Sequence, residues 1–242
     1  MTFDDLEAEQ EALDAVLSRL SPAAWLTPSA APGWTVADVV LHLAQTEEAV
    51  VMNATGGANV TDWRSFGSDV DTAMAAMVDA QRAPATVVHD RWRAARVAAL
   101  QTLRKADPSR PVPWVTGSLK PRTLATTRLA EHWAHALDIT GPLGIDYPDT
   151  ARLRHIAWLA HSTLPYAFRL AELPPPEVYC ELTAPDGTTW QYGNPSAASS
   201  IRGPAGAFCR VGAQRLAPAG SGLRTSGPDA DTALRLLRNY AA

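Results

Sequence analysis

The tract LPPPEVYC, Leu173 to Cys180, separates two stretches whose apolar residues follow different periods, so one regular architecture cannot serve the whole chain. Before it the spacing is helical. Leu6, Leu13, Val16, Leu17 and Leu20 place a first helix over Phe3 to Leu20, stopped by Ser21-Pro22. In TVADVVLHLAQTEEAVVMN, Val36, Val40, Leu43 and Val50 share one side, and Thr35 with Asp38 makes a variant of the capping box. TGGANV after it reads as a loop. A third helical region runs from about Val70 to Ala106 with an interruption near Pro84. DPSRPVPWVTGSLKP reads as a loop, a fourth helix follows from about Arg122 to Thr140 with GPLG ending it, and a fifth spans about Thr150 to Leu170.

Beyond LPPPEVYC the pattern alternates. EVYCELTA and TTWQY flank Pro185-Asp186-Gly187, a hairpin signal. A short helix is expected over Pro204 to Gln214, a third strand in GLRTSG and a last helix in DADTALRLLRNYA. The expected fold class is therefore α+β: a bundle of four or five helices over residues 1–172, up-and-down with one long crossing connection, then a small α+β domain over 173–242.

A net charge of −4 leaves no basic footprint, which argues against nucleic acid as a partner. No apolar run approaches the roughly 18 residues of a membrane span. The acidic start MTFDDLEAEQ does not read as a signal peptide, and two cysteines are too few for a disulfide scaffold, so a cytoplasmic protein is expected. Lysine occurs only at Lys105 and Lys120 while arginine and alanine are abundant, a bias typical of a GC-rich bacterial gene.

Chemistry concentrates in RLAEHWAHALDI, Arg128 to Ile139. At about 100° per residue, Arg128, Glu131, His135 and Asp138 fall on one stripe of a helix, with Leu129, Trp133 and Leu137 opposite. Glu131 with His135 is then the better-placed ligand pair and His132 with His135 the weaker one. The stripe also fits a solvated, salt-bridged helix face worth a few tenths of a kcal/mol per pair. The HExxH motif of zincins is absent. His42 lies mid-helix on the side of Asp38, Gln45 and Thr46. Were that side to meet Glu131 and His135, two imidazoles and a carboxylate would leave a coordination position open, the catalytic pattern for zinc. His89, His155 and His161 read as structural or surface residues, and Cys180 and Cys209 as core.

APGWTVADVVLHLAQTEE resembles the PGW-(S/T)-x-x-D-x-x-x-H-L signature of the mycothiol-dependent maleylpyruvate isomerase family, one of the DinB-like metal-binding bundles. RLAEHWAHALDI resembles that family's second motif. ELTAPDGTTWQYGNPSAASSIRGPAGAFCRVGAQR is similar to the small C-terminal domain of an actinobacterial branch of it. The resemblance implies a divalent metal, usually zinc (Zn2+), on His42, Glu131 and His135, with His132 left out. It implies a low-molecular-weight thiol, mycothiol, activated at the metal, and a small-molecule substrate. It also implies a catalytic arginine from the C-terminal domain, matched best by Arg215 in GAQR, with Arg210 as a rival. Asp138 and Asp38 are the expected supports of the ligands. Isomerase or S-transferase chemistry is the leading expectation. A thiol-independent metal-dependent hydrolase or cyclase, and a non-enzymatic ligand-binding bundle, are the alternatives.

Overall fold

The computed structural model describes residues 2–56, 63–115 and 117–240. Two compact units divide between Tyr147 and Pro148. The first contains α1 (Thr2–Leu17), α2 (Val36–Thr55), α3 (Val70–Ala80), α4 (Ala85–Lys105) and α5 (Pro121–Leu143), with a two-stranded ladder, β1 (Val112–Trp114) and β2 (Gly117–Leu119), between α4 and α5.

α2 is the central helix, packed on α4 and α5, while α1 packs on α5. Its start is built by neighbouring residues: Thr35 Oγ1 accepts the Asp38 N–H at 3.2 Å and Asp38 Oδ2 accepts the Thr35 N–H at 2.9 Å. Gly56 ends it in the left-handed conformation, φ 71°, where a Cβ would be strained. The rest of TGGANV lies outside the described residues. The core around α2 is Leu13, Leu17, Val36, Val40, Leu43, Trp92 and Ile139, all 0 to 1% exposed.

Two sequence expectations change in this unit. The proline-rich segment is not wholly loop: Val112 pairs with Leu119 and Trp114 with Gly117 in an antiparallel ladder. Strands of three residues are too short to show a period, and Pro113 is tolerated in so small a ladder because only some N–H groups must pair. α5 also runs past GPLG's start to Leu143, with Pro142 inside its last turn. Pro142 has no N–H for the Asp138 carbonyl four residues back, and Ala30 supplies one instead, its N–H donating to Asp138 O at 2.9 Å.

The second unit holds α6 (Leu153–Ser162), α7 (Leu164–Leu170), β3 (Val178–Thr183), β4 (Thr189–Tyr192), β5 (Ser199–Pro204), α8 (Ala205–Gly212), β6 (Arg224–Ser226) and α9 (Ala230–Leu236). The sheet order is β4-β3-β5-β6, antiparallel except for the parallel β3–β5 pair. The division thus precedes LPPPEVYC. Helical spacing marked residues 150–170 as a helix but could not say what covers it; α6 packs on α8 and β4, within the second unit. Nor is that segment one helix, since Pro165 forces a break at Thr163. β5 was not foreseen, because SSIRGP has no run of β-branched residues to announce it. Cys180 and Cys209 are both free and fully buried.

Candidate metal centre

The capping box orients α2 so that His42, two turns in, faces α5. Its Nε2 lies 3.0 Å from Glu131 Oε1. His135 Nε2 lies 3.5 Å from the same oxygen, and its Nδ1 is 2.9 Å from Asp138 Oδ2. One ligand atom from each of His42, Glu131 and His135 falls within 4.8 Å of the others. Donor atoms on a four-coordinate zinc are about 3.3 Å apart, given metal–ligand distances near 2.0–2.2 Å. The cluster is therefore compact enough for one ion.

The proton count gives a second test of fit. Asp138, buried to 1% exposure, accepts the His135 Nδ1 proton, which leaves a neutral His135 with its Nε2 lone pair directed at the Glu131 oxygen. Two lone pairs facing each other need a positive charge between them. A proton meets that need in the absence of metal; a cation meets it by replacing the proton. The electrostatics agree. Burial works against a charged His135, but Asp138 and Glu131 outweigh it and raise its pKa. Burial alone would raise Glu131, yet hydrogen bonds from His135 and His42 hold it well below the ordinary carboxylate value. Burial lowers His42, which keeps that imidazole neutral and able to ligate.

The loop preceding α2 closes one side. Its Ala30 is tied to the carbonyl freed by Pro142, and Ser29 N–H donates to Trp34 O at 2.8 Å. The half-buried Trp34 ring is thereby held 5.1 Å from the His42 ring and 6.3 Å from that of His135.

His132 points elsewhere, and both its nitrogens are occupied. Nε2 accepts the Trp92 indole N–H at 3.2 Å, so Nδ1 carries the proton and donates to Arg128 O at 2.8 Å. Burial, helped by the Arg128 charge, pushes it down to about 3. Beside it lies a buried ion pair that sequence reading missed. Arg128 Nε donates to Glu47 Oε1 at 2.8 Å, and Arg128 Nη2 donates to Thr46 Oγ1 at 2.7 Å. The signal was present: Glu47 continues the apolar stripe of Val36, Val40, Leu43 and Val50, where a carboxylate must be paired.

Of the two expected supports, Asp138 touches a ligand and Asp38 does not. Both Asp38 oxygens are committed, Oδ2 to the helix start and Oδ1 to Arg82 Nε at 2.8 Å. His89 bonds Asp14 at 2.7 Å, and His161 bonds Val178 O at 2.9 Å. Each is thus tied to another part of its own unit. In the second unit, Arg210 makes a bidentate pair with Asp149, both distances 2.8 Å. Arg215 follows α8 and donates to Ala213 O at 2.7 Å.

Residues 6–140 match the Mycothiol maleylpyruvate isomerase N-terminal domain, more than half of the chain. The chain belongs to this family. Two proteins of Mycobacterium tuberculosis, from strains CDC 1551 / Oshkosh and ATCC 25618 / H37Rv and both described as uncharacterized, are 34% identical over 247 residues, covering 98% of this chain and 94% of each relative. Among solved structures, the mycothiol-dependent maleylpyruvate isomerase superposes with a TM-score of 0.59 at 16% identity, over 94% of this chain and 95% of that one. A histidine-to-alanine mutant of that isomerase gives 0.61 at 15% identity with the same coverage. At such identities the match establishes the fold, a helical and sheet architecture shared along nearly the full length. No helix among the described residues is long and apolar enough to cross a membrane.

Proposed function

We propose that this member of the family is a divalent-metal-dependent enzyme. It uses a low-molecular-weight thiol, mycothiol, for isomerisation or S-transfer on an electrophilic small molecule. His42, Glu131 and His135 hold the metal. The observation that carries the reading is the convergence of two imidazole nitrogens on one carboxylate oxygen, at 3.0 and 3.5 Å, from residues 89 positions apart in the case of His42 and Glu131.

A bound divalent cation lowers the pKa of a coordinating thiol, so that the thiolate is available at neutral pH. The chain's own residues prepare that site. Asp138 keeps the His135 proton on Nδ1 and aims Nε2 at the cluster. Glu131 contributes a carboxylate that stays ionised, partly through the nearby Arg128 charge. Trp34 keeps water from one side of the two imidazoles. On the family resemblance, Arg215 is proposed as the catalytic arginine, in preference to Arg210, whose guanidinium is committed to Asp149.

The test is metal content by plasma mass spectrometry on untagged protein prepared without chelator, followed by turnover of activated alkenes with and without added thiol. About one divalent ion per chain is expected, lost in His42→Ala and Glu131→Ala while circular dichroism stays unchanged. Full metal retention in both variants refutes the ligand set. Equal turnover with and without thiol refutes the thiol and leaves a metal-dependent hydrolase or cyclase. Arg215→Ala is expected to lower kcat without reducing metal content.

A further inference from the structure

The stripe of α2 that carries His42 continues as Thr46, Ala49 and Asn53, at helical spacings of four, three and four. Those three residues form one wall of a cavity of about 380 Å³. The facing walls are Met74 and Met77 of α3 and Trp114 and Val115 of the β1–β2 hairpin. Thr46 lines the cavity on the same helix as His42; its hydroxyl donates to His42 O at 2.9 Å and accepts from Arg128. One helical turn, about 6 Å of axial rise, separates it from His42.

The cavity's chemistry is apolar and short of usable positive charge. An apolar cavity of about 150 Å³ accepts a benzene-sized guest. This one is roughly two to three times larger and suits a body of one or two rings. Its amide wall groups are tied back to the backbone. Gln45 donates its amide to Met77 O at 2.9 Å and Asn53 donates its amide to Pro113 O at 3.1 Å. The buried Gln45 Oε1 and Asn53 Oδ1 are left without partners among the described residues. Neither oxygen is accessible from the cavity, so a charged guest finds no polar partner in them. The Arg128 charge is already matched by Glu47, and Arg64 is exposed at the rim with its guanidinium 4.6 Å over the Trp63 ring. A dianion would have to shed its water here without two cations to receive it, which disfavours it.

We infer that the cavity beside His42, Glu131 and His135 takes the uncharged, ring-sized apolar body of an aryl or alkyl ligand and rejects small dicarboxylates. The inference rests on the proposed function only in naming that ligand the electrophilic substrate; occupancy of the cavity does not depend on the metal. The family's name-giving substrate, maleylpyruvate, is a dicarboxylate, so this chain's specificity differs from that of its solved structural neighbour.

Isothermal titration of the full-length protein with 2-naphthol and with maleate tests it, in zinc-loaded and chelator-treated samples. 2-Naphthol is expected to bind at least tenfold more tightly than maleate in both samples. Ala49→Phe, which fills the cavity, and Met77→Glu, which charges it, are each expected to weaken 2-naphthol binding tenfold or more. Metal content should not change in either variant. Tighter binding of maleate overturns the inference, as does wild-type affinity for 2-naphthol in both variants when folded. Protein that binds 2-naphthol but no metal sinks the proposed function alone. Protein that holds metal and refuses 2-naphthol sinks this inference alone.

Discussion

Replacing Arg128 by methionine removes the charge that matches Glu47 in the ion pair between α5 and α2. Both partners are buried, Arg128 at 3% and Glu47 at 0% side-chain exposure, and Glu47 Oε2 has no hydrogen-bond partner among the described residues. Burial raises Glu47 above the ordinary 4.5, and Arg128 is the group that opposes the rise. Without it, the folded protein holds Glu47 protonated. Placing that proton at pH 7 means working against about 2.5 pH units at 1.36 kcal/mol each, so the deficit is at most about 3.4 kcal/mol, less the share the raised wild-type carboxyl already bears. That ceiling lies at the lower end of the roughly 3–5 kcal/mol seen when one partner of a buried pair is deleted. For a chain of this size it lowers Tm by at most about 7–14 °C.

The sign of the pH effect identifies the cause. A carboxyl whose folded pKa is raised stabilises the fold below its unfolded value and loses that stability as pH rises towards the folded value. The deficit in Arg128→Met should therefore be largest at pH 7 and shrink towards pH 4.5, followed by urea denaturation and far-UV circular dichroism. Glu47→Leu combined with Arg128→Met removes both charges and should recover most of the loss. A deficit below about 1 kcal/mol at pH 7 refutes the reasoning. So does a deficit that is constant with pH, or a double variant as unstable as the single one.

Asp138→Asn should weaken metal binding by about 10- to 100-fold, because the His135 tautomer and ring orientation are no longer held; a chelator competition that finds wild-type affinity would contradict the support role. Pro142→Ala restores an N–H that competes for the Asp138 carbonyl, so exchange of the Ala30 amide should accelerate at least tenfold, and unchanged protection would show that the loop is held by other means. Cys180 and Cys209 should resist a disulfide reagent in the native protein and both react after denaturation, since burial pushes the Cys180 thiol up to about 12 and the Cys209 thiol higher still. Prompt labelling of the folded chain would refute that burial.

What a short stretch of residues can arrange by itself was legible in the chain. The Thr35–Asp38 cap, the break near Pro84, the Asp186-Gly187 turn and the common stripe of Glu131, His135 and Asp138 depend on neighbours a few residues apart. Helical and strand geometry fixes those relations before any packing occurs. The α+β class, the order of α1 to α5 and the β3–β4 hairpin followed from the same periodicities.

Tertiary structure decided the rest, because periodicity names an apolar face without naming its partner. That α6 packs on α8 and β4, that SSIRGP pairs in parallel with β3, and that VPW and GSL form a ladder are choices between faces and edges with no local signature. The candidate metal centre shows both contributions. Spacing along α5 placed Glu131 beside His135, but only the packing of α2 on α5 brings His42 to 3.0 Å from that carboxylate. Packing also turns His132, one residue from Glu131, to Trp92 and the Arg128 carbonyl, and so out of the site.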